Sequence, residues 1–304
     1  MAINTAQIKD ELFPGLREVI GKYKEIERQY DKMFDVGSSN MALERVTSMR
    51  YLGLARLKNE GGGTYFDNNA GQRFVYNQEH QEVALGYAIT RKAIDDNLYK
   101  AQFQPSNLGL QFSFNQYKEI QAASIFNLGT TYDANVGGDG KALFASDHPI
   151  DGTTIANIPT VAADLNEASL LSAMTTIRQT WRDNAGLKIQ GRARKLVVNP
   201  TLEPVAIRLV KTELRPGTAE NDVNAILSTA GGLPEGHMVN DYLTSNFAWF
   251  LLTKNRGLTY LQRIAFEMDM FVDFYTDNLL VKGYERFSFS YQDWRSVYGS
   301  FPTS

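Results

Sequence analysis

Six apolar residues, Leu16, Val19, Tyr23, Ile26, Tyr30 and Met33, recur early in the chain at spacings of three and four. That rhythm lays them along one stripe of a helix. Pro14-Gly15 marks its start and Gly37-Ser38-Ser39-Asn40 its end. The other face is charged, with Arg17, Glu18, Lys22, Lys24, Glu25, Glu27 and Arg28. Such a helix near a chain end has to lay its stripe on something: its own domain, a neighbouring subunit or a coiled-coil partner. The stripe covers fewer than three heptads, which is short for a coiled coil.

From Glu44 to Thr90 the pattern changes to that of a long hairpin. Val83, Leu85, Tyr87 and Ile89 alternate with Ala84, Gly86 and Ala88, the period-2 signature of a half-buried strand. The tip, Lys58–Gln72, is polar and rich in glycine and asparagine. A flexible tip of 15 residues is unusual in a compact domain, and loops of that length are usually functional or disordered.

Residues 105–128 carry two patterns at once. Leu108, Leu110, Phe112 and Phe114 alternate like a strand, whereas residues 117–127 favour a helix by propensity. Asp164–Arg182 is clearer: Asp164 and Glu167 have capping-box spacing, and Leu170, Leu171, Met174, Ile177 and Trp181 share a face. A strand follows at Lys195–Val198, then a helix opened by Asn199-Pro200 with Leu202, Val205, Ala206, Leu209 and Val210 inward. Arg215–His237, punctuated by Pro216-Gly217 and Gly231-Gly232-Leu233-Pro234, reads as a long surface loop. Strands are expected at Phe247–Thr253, Ala265–Phe274 and Leu279–Ser290. No internal repeat or low-complexity tract is visible.

Composition narrows the function. A chain of 304 residues, 43% hydrophobic and 21% charged, describes one large or two ordinary folded domains. A formal net charge of −3 gives no electrostatic footprint for nucleic acid. With no cysteine, disulfides, Cys-based zinc sites and thiol catalysis are excluded. His80, His148 and His237 share no metal-ligand spacing, and no cofactor or metal is expected. Met1–Asp10 lacks the pattern of a signal peptide. The longest strongly apolar run, Phe247–Leu252, is six residues, far below the ~20 of a membrane span.

Residues 137–149, Gly-Gly-Asp-Gly-Lys-Ala-Leu-Phe-Ala-Ser-Asp-His-Pro, hold the residue types of a hydrolase and a phosphate loop. Neither holds up. Three consecutive side chains, Ser146, Asp147 and His148, cannot form a Ser–His–Asp relay, which a fold assembles from separate segments. Lys141 is followed by Ala142, whereas a phosphate loop needs Ser or Thr there. Asp133, Asp139 and Asp147 do not fit a calcium loop. The segment reads as a glycine-rich turn leading to a short apolar stretch that stops at Pro149.

The same segment carries a resemblance. Asp139, Gly140, Leu143, Phe144, His148 and Pro149 form a D-G-x-x-L-F-x-x-x-H-P run. Lys195–Pro200, Trp249–Leu252 and the ending Tyr291-Gln-Asp-Trp-Arg-Ser-Val-Tyr-Gly299 follow in order. Together, over residues 40–300, they resemble the major head protein of Mu-like tailed phages, with the Hong Kong 97-type capsid fold. The resemblance implies an α+β fold and resolves residues 105–128 as a long spine helix begun at Pro105-Ser106, ~35 Å at 1.5 Å per residue. It implies an N-terminal arm (1–43), an extended hairpin loop (44–92), a peripheral domain (93–192 and 258–304) and an axial domain (193–257). In such subunits the hairpin lies over an adjacent copy, which makes Lys58, Tyr65, Phe66 and Arg73 inter-subunit contacts.

Lys58 and Asn59 are similar to the Lys and Asn that join some capsid subunits covalently, a chemistry most relatives lack. The resemblance sets the 215–237 loop near a capsomer axis. Its apolar cluster Ala225, Ile226 and Leu227 is then expected to have Ile226 and Leu227 touch neighbouring copies. The implied function is a non-enzymatic shell protein of the virion, assembled in the bacterial cytoplasm through pentamers and hexamers. The shell encloses double-stranded DNA that it contacts weakly and without sequence preference. Its partners are itself and scaffolding, portal and decoration proteins, with no membrane. The alternatives are an encapsulin-type nanocompartment holding protein cargo, and a serine hydrolase using Ser146.

Overall fold

The structure, a computed structural model, describes residues 27–96, 99–212, 224, 226–227 and 232–303, with the backbone alone at 99–105. In chain order the elements are β1 (Asp35–Ser38), β2 (Leu43–Arg50), β3 (Gly71–Glu79), β4 (Gln81–Ile89), α1 (Arg91–Asp95) and α2 (Tyr99–Asn127). Then come β5 (His148–Ile150), β6 (Thr153–Ile155), α3 (Glu167–Thr180), β7 (Ala193–Val198) and α4 (Glu203–Lys211). The chain ends with β8 (His237–Val239), β9 (Trp249–Thr253), β10 (Leu258–Val272), β11 (Leu279–Tyr291) and β12 (Val297–Ser300). One sheet runs β1-β10-β11-β4 and a second β12-β9-β7-β8; β2-β3 and β5-β6 are two-stranded ribbons. No helix among the described residues is long and apolar enough to cross a membrane.

Residues 105–128 are helical, as the resemblance implies, and the helix is longer: 29 residues, about 43 Å at 1.5 Å per residue. Pro105 does not open it but lies inside it, where its missing N–H removes one ladder hydrogen bond. The strand-like alternation dissolves once the helix continues. Leu110 and Phe114 are buried and Ala122, Ile125 and Phe126 follow on the same side, while Phe112 is partly exposed. Phe126 meets Phe34, Phe144 and Phe250 at ring separations of 5.1–6.4 Å, the aromatic centre of the main core. A buried ion pair, Lys118 Nζ to Glu285 Oε1 at 2.9 Å, ties the helix to β11. Burial outweighs the lysine and pushes the Glu285 carboxyl above its usual range.

Two sequence expectations change. The helix expected from Leu16 to Met33 lies mostly outside the described residues, and its described end is a single 3-10 turn at Tyr30–Lys32 followed by strand β1. Tyr30 and Met33 are buried against their own chain. Both Glu119 carboxylate oxygens accept backbone N–H groups there, from Gln29 at 2.8 Å and Tyr30 at 3.1 Å. The hairpin is also shorter than expected. β2 pairs with β3, whereas the alternating strand β4 pairs with β11 in the large sheet. Half-burial came from the sheet, which is why the period-2 pattern misassigned its partner.

Of the remaining elements, β9 and β11 keep close to their patterns, whereas β10 runs Leu258–Val272 and so begins well before the expected Ala265. The capping box of α3 is Asn166 with Ser169 rather than Asp164 with Glu167. Leu170, Met174, Ile177 and Trp181 point into the core as expected, with Leu171 half-buried. The C-terminal strand β12 pairs with β9, so the chain end joins the sheet built from residues 193–253.

Candidate functional site

The ribbon β2–β3, joined by residues 51–70, is hydrogen-bonded into neither large sheet through its backbone ladder. Asn184 anchors the base. Its Nδ2 donates to Ser48 Oγ at 2.7 Å and to the Met49 carbonyl at 2.9 Å. Its own carbonyl accepts from Arg73 Nη1 at 2.9 Å, and its Oδ1 accepts from Arg295 Nη2 at 3.0 Å. Gln78 Nε2 donates to Ser288 Oγ at 2.9 Å, fixing the other end of β3 to β11.

The connection itself is pinned rather than loose. Arg50 Nη2 donates to Asp151 at 2.8 Å, and its Nη1 lies 3.5 Å from Asp67. Asp67 in turn accepts the backbone N–H of Gly53 at 2.7 Å and of Asn69 at 3.0 Å. Those two bonds, Asn69 first, hold the Asp67 carboxyl below the usual range.

Beyond this clasp the surface is apolar and unburied. Leu54 is 76% exposed, Leu57 97% and Phe66 77%, with Tyr51 and Leu52 beside them. A two-stranded ribbon is marginal in water by itself, and an apolar patch of this kind marks an interaction surface. The glycine and asparagine count of residues 59–72 hid this. The legible signal was upstream, in the run Tyr51-Leu52-Gly53-Leu54-Ala55-Arg56-Leu57.

Of the residues expected to touch neighbours, Lys58 and Phe66 are exposed on this connection. Tyr65 is half exposed, with the Arg56 guanidinium 3.9 Å above its ring. Arg73 is engaged within its own chain, by Asn184. Ile226 is a correction. It is fully buried in the main core, its N–H held by Asn224 Oδ1 at 3.0 Å, while Leu227 is half-buried. Asn224 donates to the Leu209 and Thr212 carbonyls, which folds the segment onto the end of α4. Ala225 lies outside the described residues.

The 137–149 segment is a structural staple. His148 is fully buried and stacks on Trp294, centroids 4.3 Å apart. Its Nδ1 lies 2.9 Å from Asp139 Oδ2, and its Nε2 donates to Asn157 Oδ1 at 3.2 Å. Neither ring nitrogen is left to serve as a base for Ser146, which is exposed. Gly137, at φ 134°, pairs with Tyr291; a Cβ there would sit 2.1 Å from the Tyr291 carbonyl oxygen. Only glycine permits that approach. The D-G-x-x-L-F-x-x-x-H-P run and the Tyr291–Gly299 ending are therefore one packed unit.

Asn157 closes that unit, and nothing in the sequence singles it out. Its Nδ2 faces the carbonyls of Leu143 (2.7 Å), Trp294 (3.4 Å) and Val297 (3.2 Å), and its Oδ1 accepts from Ala145 N–H at 3.0 Å. Asn157→Ala strands these buried groups and is expected to cost about 2–3 kcal/mol. Thermal denaturation measures it; an unchanged midpoint would contradict the network.

Comparisons with known proteins agree with this geometry. A family profile described as phage capsid protein matches residues 80–300. No match was found among curated proteins. Among solved structures, one from Microbacterium phage Oxtober96 is similar at TM-score 0.56 and 11% identity, covering 91% of this chain and 91% of that one. The procapsid of bacteriophage JBD30 gives 0.52 and 15%, covering 99% and 77%. A virus-like particle from Pyrococcus furiosus gives 0.53 and 9%, covering 96% and 100%. At these identities the likeness concerns the fold, which is α+β and of the Hong Kong 97 type.

Proposed function

This chain belongs to the phage capsid protein family, and we propose that it self-assembles through pentamers and hexamers into an icosahedral head enclosing double-stranded DNA. It is a capsid shell protein with a structural role. The observation that supports self-assembly most directly is the anchored hairpin arm, whose Leu54, Leu57 and Phe66 stay largely exposed among the described residues. An apolar arm fixed at its base by Asn184 and left open beyond Arg50 is suited to lie on an adjacent copy. Lys58, Tyr65 and Phe66 belong to that contact in this reading, and Arg73 sets the arm's base.

The division into arm, hairpin, peripheral and axial parts is part of the same proposal, with two adjustments. The protruding ribbon ends at Glu79, and the last strand belongs with the axial sheet. A net charge of −3 suits a wall that contacts DNA weakly and without sequence preference. Scaffolding, portal and decoration proteins complete the expected partners, with the head of the virion as location and the host cytoplasm as the place of assembly.

A second reading, a compartment with protein cargo, is favoured by one observation: the fold match to the P. furiosus particle spans nearly all of both chains. Negative-stain microscopy of the purified protein should show closed shells or capsomers. Particles from a producing cell should release nuclease-protected double-stranded DNA; a stoichiometric enzyme in its place would favour the second reading. A stable monomer at all concentrations would refute both.

A further inference from the structure

The arm is not the only apolar surface left open. At the far end of the β10–β11 hairpin, Phe274 is 90% exposed and Tyr275 92%, with Phe271 beside them. This tip is built rather than loose. Asp273 N–H donates to the Asn278 carbonyl and Asp277 N–H to the Asp273 carbonyl, both at 2.9 Å. Thr276 Oγ1 donates to Asp273 Oδ2 at 2.6 Å, and Asp277 takes the left-handed φ of 54° that closes the turn. The two rings meet edge to face, with centroids 5.7 Å apart. A preformed aromatic pair loses little entropy on binding, and aromatic anchors of this kind dominate interface energies.

Charge distinguishes the two surfaces. Residues 264–281 contain Glu267, Asp269, Asp273 and Asp277 and no Lys, Arg or His. Lys282 stands opposite Asp269 across the strands, and Arg91, whose N–H reaches Asn278, is paired with Asp95. An acidic excess remains at the tip. Residues 51–58 are the converse: Arg56 and Lys58 with no acid, interleaved with Tyr51, Leu52, Leu54 and Leu57, while Arg50 at their base is already paired with Asp151 and Asp67. Both surfaces stay exposed within one chain, so they do not cover each other there.

We infer that the acidic aromatic tip of one copy docks on the basic apolar segment, residues 51–58, of another copy's hairpin arm. The inference rests on the shell reading and names the surface that receives the arm. Phe274 and Tyr275 cover Leu54 and Leu57, and Arg56 and Lys58 face Glu267 and Asp277. Two different patches of one chain then meet, a head-to-tail contact that propagates until a closed assembly forms.

Two experiments on the full chain test it. Phe274→Ser with Tyr275→Ser removes two exposed rings, so the melting temperature should hold while the apparent association constant of the subunits falls about tenfold or more. The absence of native cysteine allows a direct second test. Assembled L57C/Y275C protein treated with a short bismaleimide should give a ladder of linked chains that neither single variant gives. A linked monomer, or no link in intact particles, overturns the docking while leaving the shell reading in place, as does a tip that stays thiol-accessible or binds some other protein. A wild-type chain that forms no particle at all overturns the shell reading and the docking with it.

Discussion

Ile226→Asp is expected to destroy the subunit rather than the capsomer. Ile226 is fully buried in the main core, and its carbonyl accepts the Leu233 N–H at 3.3 Å. A carboxylate in that place loses its hydration inside an apolar core. Such a substitution falls among the exceptional cases, about 4–5 kcal/mol or more. That is a large share of the roughly 5–15 kcal/mol holding a typical domain together, so soluble yield should collapse at growth temperature. If the aspartate chain cannot be purified, Ile226→Val provides the measurement. It should cost about 1 kcal/mol and lower the melting temperature by about 2–4 °C. Leu227→Asp, at a half-buried neighbour, should cost far less. A wild-type melting temperature for Ile226→Asp would return the residue to the surface.

The loop around Ile226 shows where sequence patterns stop being informative. Pro216-Gly217 and Gly231-Gly232 rightly ruled out a regular element, but irregular backbone is not the same as exposed backbone. Asn224, with both amide ends engaged, supplies the hydrogen bonds that let an irregular segment enter the core. No period records that arrangement. Long regular elements were legible where burial is periodic, as in α3, and β9 was legible as a short continuous apolar run buried throughout. Residues 105–128 needed the resemblance to decide, since four alternating apolar residues fit two periods. The hairpin was legible as a protruding feature, but its strand pairing was not: β4 has the same alternation whether it returns along β2 or joins β11. The anchoring asparagines, Asn157 and Asn184, left no trace in the sequence, because a side-chain amide acquires its role only when distant carbonyls converge on it.

Cutting back the arm is the complementary experiment, expected to abolish assembly and spare the fold. Arg50 and Gly71 are directly opposed in the β2–β3 ladder, so an Asn-Gly pair can join them as a two-residue turn in place of residues 51–70. The excision removes Leu54, Leu57 and Phe66, which are mostly exposed and contribute nothing to the core. Arg50 loses Asp67 but keeps Asp151 at 2.8 Å, and Asn184 still holds Ser48 and Met49 at the base. The melting temperature should therefore stay within a few degrees of wild type. Assembly has no such compensation. Fully burying a side chain such as Leu or Phe contributes about 1.5–3 kcal/mol, so losing three at each contact removes roughly 5 kcal/mol, more than a thousandfold in each association constant. Every copy in a shell bears the same loss, and closed particles should be absent by microscopy at concentrations where wild-type shells form. Shells at wild-type yield from the shortened chain would show that the arm is dispensable and that another surface drives assembly.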